Sequence, residues 1–226
     1  MDSMVKALIF DFDGLIVDTE GSDYQSWVEL YQSYGIDLSF ETYAGSVGAG
    51  VGQGTFDPYT DLDTRLAGKV DWKVTEAARI QRVRMLTDVK PALPGVLSYL
   101  EDGRRLGLKL GIASSSNHAW VEGHLERLEL INFFDSICCA DDVDRTKPAP
   151  DLYLAALHAL KITSREAIAL EDSAFGVTAA KKAGLRCVAV PNQWTVHNDF
   201  EHADLCLHTL SDLPLEKLLS CVYHHD

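Results

Sequence analysis

Neither G-x-G-x-x-G nor G-x-x-x-x-G-K-[ST] occurs in the 226 residues, which removes a dinucleotide fingerprint and a P-loop. The five cysteines, Cys138, Cys139, Cys187, Cys206 and Cys221, form no C-x-x-C and no zinc spacing. An odd count without a pattern suits a reducing compartment. Cys187, inside R-C-V-A-V, and Cys138–Cys139, beside Ile137, read as buried structural thiols. Basic residues are scarce: 20 Lys and Arg stand against 34 Asp and Glu, a net charge of −14. With a pI near 4.9, that balance argues against nucleic acid or an anionic membrane as partner. From Ala7 to Thr64 there is no Lys or Arg at all. The cluster Arg79, Arg82 and Arg84 reads as a solvated helix face rather than an anion patch. No apolar stretch reaches transmembrane length, and Met1-Asp2-Ser3 opens no secretory signal, so a cytoplasmic location is expected.

A hydrophobic content of 46% over this length allows a good core in one or two domains. The run V-K-A-L-I-F reads as a buried strand, and it ends in Asp11 and Asp13 before Gly14. Carboxylates are costly to bury without a cation or strong donors. At the C-terminal edge of a strand they would instead face the crevice where open α/β sheets bind ligands. The pair therefore suggests a metal site, a nucleophile or both, against an ordinary acidic turn. A calcium loop is excluded because Leu15, Ile16 and Val17 stand where further oxygen ligands would be needed.

Three later segments repeat the theme. L-G-I-A-S-S-S-N (110–117) is an apolar strand ending in hydroxyls, with Asn117 placed to cap a helix through Val121, Leu125 and Leu128. D-R-T-K-P-A-P-D (144–151) puts Lys147 in a loop before a helix, and A-I-A-L-E-D-S (167–173) is a strand ending in Glu171 and Asp172. A parallel sheet gathers such ends along one edge.

Taken together, D-F-D-G-L-I-V-D-T-E, A-S-S-S, K-P-A-P-D and E-D-S-A-F-G-V resemble the four motifs of the haloacid dehalogenase-like superfamily. The likeness is to its branch of helical-capped phosphatases and β-phosphoglucomutases, and it runs in the family's order from Ile9 to Val177. It implies an α/β fold, with a Rossmann-like parallel sheet core, helices on both faces and an inserted α-helical cap. After the first strand the αβ rhythm does stop: Tyr24, Trp27, Val28 and Tyr31 mark a helix closed by Gly35, and Lys73–Val89 reads as a long helix. Residues 1–16 and 91–226 are expected to form the core, and 17–90 the cap. Between the cap helices lies a Gly-rich stretch, residues 44–54. It reads either as a loop that approaches the site or as a plain connector.

The resemblance further implies phosphoryl transfer with Asp11 as nucleophile and Asp13 as general acid and base. Ser114, Ser115 and Lys147 would bind phosphate; Asp11, the Asp13 carbonyl and Asp172 would hold Mg²⁺, with Glu171 orienting a water on the metal. Dehalogenases match poorly because they lack the second Asp that Asp13 supplies. A β-phosphoglucomutase grips its second phosphate with a cap arginine, and the corresponding Gly-rich stretch carries no cation. The expectation is a Mg-dependent phosphatase acting on a small phosphorylated metabolite as a monomer, with no nucleic acid and no membrane. A β-phosphoglucomutase-type phosphotransferase, with Arg65 or Lys69 as the missing grip, is the alternative; a non-catalytic binding protein of the same fold ranks below it.

Overall fold

A computed structural model describes residues 5–44, 47 and 56–223. The Gly-rich stretch therefore lies outside the described residues apart from Ala44 and Val47. The chain divides into two compact units, Met1–Val17 with Pro91–Asp226, and Asp18–Lys90.

The first unit is built on six parallel strands: β1 (Ala7–Phe10), β2 (Lys109–Ala113), β3 (Ser136–Cys138), β4 (Ala167–Glu171), β5 (Arg186–Ala189) and β6 (Leu205–Cys206). Their order is β3-β2-β1-β4-β5-β6, with Ala7 opposite both Lys109 and Ala167. The chain leaves β1 toward one side of the sheet and later returns to its other side, so β1 and β4 flank a topological switch point. Both faces are buried, which is why the strands read as unbroken apolar runs. Leu8, Phe10, Leu110, Ile112, Ile168 and Leu170 fill one face. The other carries Ile9 among Ala7, Ala113, Ala167, Ala169 and Ala189, small residues that let helices approach closely. Cys138, Cys139 and Cys187 are buried thiols, as their apolar neighbours foretold.

The helices of this unit follow the second linker, β2, β3, β4 and β6. Numbered along the whole chain after the four of the second unit, α1 (Thr19–Ser33), α2 (Phe40–Ala44), α3 (Pro58–Arg65) and α4 (Trp72–Thr87), they are α5 (Val96–Arg105), α6 (His118–Arg127), α7 (Asp151–Leu160), α8 (Ala174–Lys182) and α9 (Leu215–Tyr223). Asn117 caps α6 by accepting from the Trp120 amide at 2.9 Å, and Gly184, at φ +81°, ends α8. No described helix is long and apolar enough to cross a membrane.

In the second unit α1 packs against α4. The solvated-face expectation fails for Arg79, whose side chain is only 10% exposed. Its guanidinium is ion-paired to Asp23 and Glu76, donates to Ser26 and Tyr59, and lies 4.3 Å from the centre of the Trp27 ring. Asp23 also accepts from the Tyr43 hydroxyl. Arg82 forks onto Glu29 at 2.7 and 2.9 Å, while Arg84 is exposed as expected. Asp23 and Glu29, the partners that α1 supplies to Arg79 and Arg82, lie more than fifty residues away, beyond the reach of helical periodicity.

One contact gives the first unit a pH-dependent fastening. His118, at the start of α6, bonds through Nδ1 to Glu122 and through Nε2 to Asp142, both at 2.8 Å. Burial pulls its pKa down, but those two acceptors outweigh it and hold it above the usual 6.5. A raised histidine stabilises fully below the unfolded value and loses that contribution as pH rises through the folded one. The melting temperature of wild type should therefore exceed that of His118→Gln by roughly 1–3 °C near pH 6. The gap should close above about pH 8. A difference that stays constant across this range would refute the linkage.

Candidate active site

Four chain segments deliver the site to the C-terminal edge of β1 and β4. β1 continues into Asp11, whose amide donates to the Leu170 carbonyl at 2.9 Å. The chain then turns at Gly14, where φ is +77° and the amide donates to Val17 at 2.8 Å. β4 ends in Glu171 and Asp172; with Asp11 these are buried, and their carboxylate oxygens lie within 4.8 Å of one another. Lys147 reaches in from the loop before α7. Its Nζ sits 2.5 Å from Asp11 Oδ1 and 2.6 Å from Glu171 Oε1, with a side chain only 6% exposed.

Charge in this cleft does not cancel. Burial raises the Asp11 pKa most; Lys147 opposes that, and the negative charges of Glu171 and Asp13 add to it, leaving Asp11 at about 7. The Lys147 ammonium also loses solvation, yet Asp11 and Glu171 more than offset the loss and keep it protonated. One ammonium thus serves three close carboxylates. An all-oxygen donor set with surplus negative charge matches a hard divalent cation such as Mg²⁺ and would not suit a soft thiophilic metal.

Asp13 lies beside the β2–α6 loop. Its Oδ2 accepts from Ser116 Oγ at 2.6 Å and from the buried Ser114 Oγ at 3.4 Å. Its Oδ1 accepts from Trp120 Nε1 at 2.9 Å. Of the three consecutive hydroxyls, Ser114 and Ser116 turn inward, whereas Ser115 is exposed.

Sequence reasoning missed four contributors. Ser116 and Trp120 bind Asp13. Tyr153, on α7, donates to Glu171 Oε1 at 2.6 Å and places its ring 5.3 Å from Lys147 Nζ. Asn192 donates from one Nδ2 to Asp172 Oδ2 at 2.9 Å and to the Gly14 carbonyl at 3.2 Å. Asn192 follows β5 by three residues, so the rule that strand ends carry function could have flagged it. Trp120 and Tyr153 sit inside helices and gave no such signal. Gly176 plays a part of another kind: a Cβ there would lie 1.9 Å from the Glu171 carboxyl, so only glycine leaves that side chain its place.

The family model for haloacid dehalogenase-like hydrolases matches residues 8–190. The chain belongs to this family. The hydrolase is 40% identical over 216 residues to "Putative phosphatase YhcW" of Bacillus subtilis (strain 168), covering 96% of this chain and 97% of that protein. The crystal structure of CbbY from Rhodobacter sphaeroides in complex with phosphate superposes with a TM-score of 0.74 at 28% identity, covering 93% and 96% of the two chains. A structure from Thermotoga maritima named "putative beta-phosphoglucomutase" gives a TM-score of 0.79 at 25% identity, covering 96% and 99%. The fold expected for the core, a parallel α/β sheet, is the one found.

Proposed function

We propose that the hydrolase is a Mg²⁺-dependent phosphatase that cleaves a small phosphorylated metabolite, a sugar phosphate or similar monoester, through an aspartyl-phosphate on Asp11. The observation that carries this reading is the buried convergence of Asp11, Lys147, Glu171 and Asp172, with Asp13 and Ser114 alongside. The likeness to a phosphatase and to a phosphate-bound structure supports the same chemistry.

A phosphate monoester repels nucleophiles with its own charge, so positioning and charge neutralisation dominate its cleavage. An Asp11 oxygen forms a bond to phosphorus as the ester P–O bond breaks, and Asp13 gives a proton to the departing oxygen. A water then attacks the acyl phosphate, Asp13 takes its proton, and Asp11 and inorganic phosphate are released. Lys147 and the Ser114 hydroxyl hold phosphoryl oxygens throughout. Asp11, Asp172 and the Asp13 carbonyl would hold the metal, which supplies positive charge facing the phosphoryl group. Glu171, fixed by Lys147 and Tyr153, orients what surrounds it, and Asn192 steadies Asp172. Residues 17–90 serve as the cap domain, and the enzyme works in the cytoplasm.

The mutase reading draws on the Thermotoga maritima structure. Holding a second phosphate dianion needs a fixed, available cation. In residues 18–90, Arg65 is committed to Asp61 at 2.8 Å, Arg79 to Asp23 and Glu76, Arg82 to Glu29 and Lys90 to Asp18. Lys69 is exposed. Purified enzyme should therefore release phosphate from an aryl phosphate with Mg²⁺ and lose that activity in chelator. With β-glucose 1-phosphate and α-glucose 1,6-bisphosphate, free phosphate should exceed glucose 6-phosphate. Mutase turnover well above phosphate release would favour the alternative, and full activity after exhaustive metal removal would overturn the metal assignment.

A further inference from the structure

Asp13 accepts three hydrogen bonds, all from the β2–α6 loop and the first turn of α6, and the donors differ in kind. Ser114 and Ser116 are rotors with one proton each, free to turn toward another acceptor. Ser114 is the hydroxyl that phosphate would claim. The indole N–H of Trp120 is a donor only, and it is fixed in the plane of a rigid ring. That ring is itself held: its edge meets His124 at 4.4 Å between centroids with the planes at 80°. His124 in turn stacks on Phe12 at 6.3 Å and 21°. Phe12 is the residue between Asp11 and Asp13. The contacts Phe12–His124–Trp120–Asp13 therefore close a loop on the Phe12–Asp13 dipeptide, with α6 gripping it from two points.

We propose that Trp120 is a positioning residue for proton transfer, its Nε1–H fixing the Asp13 carboxyl where it serves first the departing oxygen and then the attacking water. This rests on Asp13 being the general acid and base. Proton transfer needs heavy atoms within hydrogen-bond reach, and a side chain on a Gly-containing turn cannot guarantee that by itself. The Trp120 hydrogen bond and the ring contacts through His124 to Phe12 tie Asp13 to α6 on both sides.

The test compares phenyl phosphate with 4-nitrophenyl phosphate, which have similar shape but different need for a proton on the leaving oxygen. Trp120→Phe keeps an aromatic plane and deletes the donor. It should lower kcat/KM for phenyl phosphate by about 10–30-fold and for 4-nitrophenyl phosphate by about 3-fold or less. For phenyl phosphate the loss should appear in kcat, with KM unchanged. Asp13→Asn should show the same leaving-group bias, more strongly, and adding Trp120→Phe to it should cost nothing further. Equal losses on both substrates, or full additivity with Asp13→Asn, would overturn the proposal for Trp120. Absence of leaving-group bias in Asp13→Asn itself would instead overturn the acid–base reading on which it rests. Should Trp120→Phe not fold, the four indole N–H resonances of the otherwise native protein decide the matter. Asp13→Ala should shift that of Trp120 clearly, and an unmoved signal would sink the contact.

Discussion

Asp11→Asn should lose activity by about 10³-fold or more while the protein stays folded and, in chelator at neutral pH, melts no lower than wild type. The loss of rate follows from the chemistry: an amide oxygen is a poor nucleophile toward phosphorus and a weaker ligand for a hard cation. The stability result follows from burial. The folded pKa of Asp11, about 7, lies above its ordinary 3.8, chiefly through burial and then through Glu171 and Asp13 against the opposing pull of Lys147. Between those two values the native state holds more protons than the unfolded chain, so stability falls as pH rises through that window. Above it, ionised Asp11 is a standing cost, which the neutral Asn does not carry. Lys147 is not orphaned, because Glu171 stays 2.6 Å away. Turnover near wild type would remove Asp11 as nucleophile. A large drop in melting temperature would mean that Lys147 relies on Asp11 more than burial opposes it.

What the sequence disclosed was whatever depends on neighbours along the chain. Strand ends announced themselves, because an apolar run that stops at an acid or hydroxyl is unusual and each such stop here lies on one sheet edge. Caps were legible for the same reason: Asn117 and Gly184 act within three residues of themselves. Gly35, read as a helix terminator, takes φ +72° just past α1. The short helices α2 and α3, five and eight residues long, left too little periodicity to be seen. Two-residue β6 is defined by pairing with β5 and not by its own composition. The misreading of Arg79 has the same origin. An arginine among polar helix residues looks solvated until α1 supplies Asp23 and Trp27. Tyr153 and Trp120 were hidden inside helices, each acting on a carboxylate far away in sequence, while Asn192 had only its place just past β5 to mark it. Those three side chains are what separate a set of acids at a strand edge from acids held at fixed angles.

Lys147→Met should behave oppositely to Asp11→Asn in stability while sharing its loss of activity. The substitution preserves length and apolar volume and removes the one ammonium between Asp11 and Glu171. Deleting one partner of a buried ion pair leaves the others desolvated and unpaired, which costs about 3–5 kcal/mol. At 6% exposure for the lysine and 0% for Glu171, solvent screening does little to soften that cost. Tyr153 still donates to Glu171, so one carboxylate retains a neutral partner. Asp11, already at about 7, is driven higher once the Lys147 charge that opposes its burial is gone, and a protonated Asp11 cannot attack. The lysine's direct hold on the phosphoryl oxygens is lost as well, so activity should fall by about 10²–10³-fold. Denaturant titration in chelator should show the full deficit, and saturating Mg²⁺ should recover part of it. A cation among Asp11, Asp172 and the Asp13 carbonyl offsets the same uncompensated charge, and binding only the native state adds its own stabilisation. Lys147→Met with wild-type stability in chelator would show that the three carboxylates do not depend on this ammonium. A Mg²⁺ increment no larger in the variant than in wild type would separate the metal from the lysine's electrostatic role.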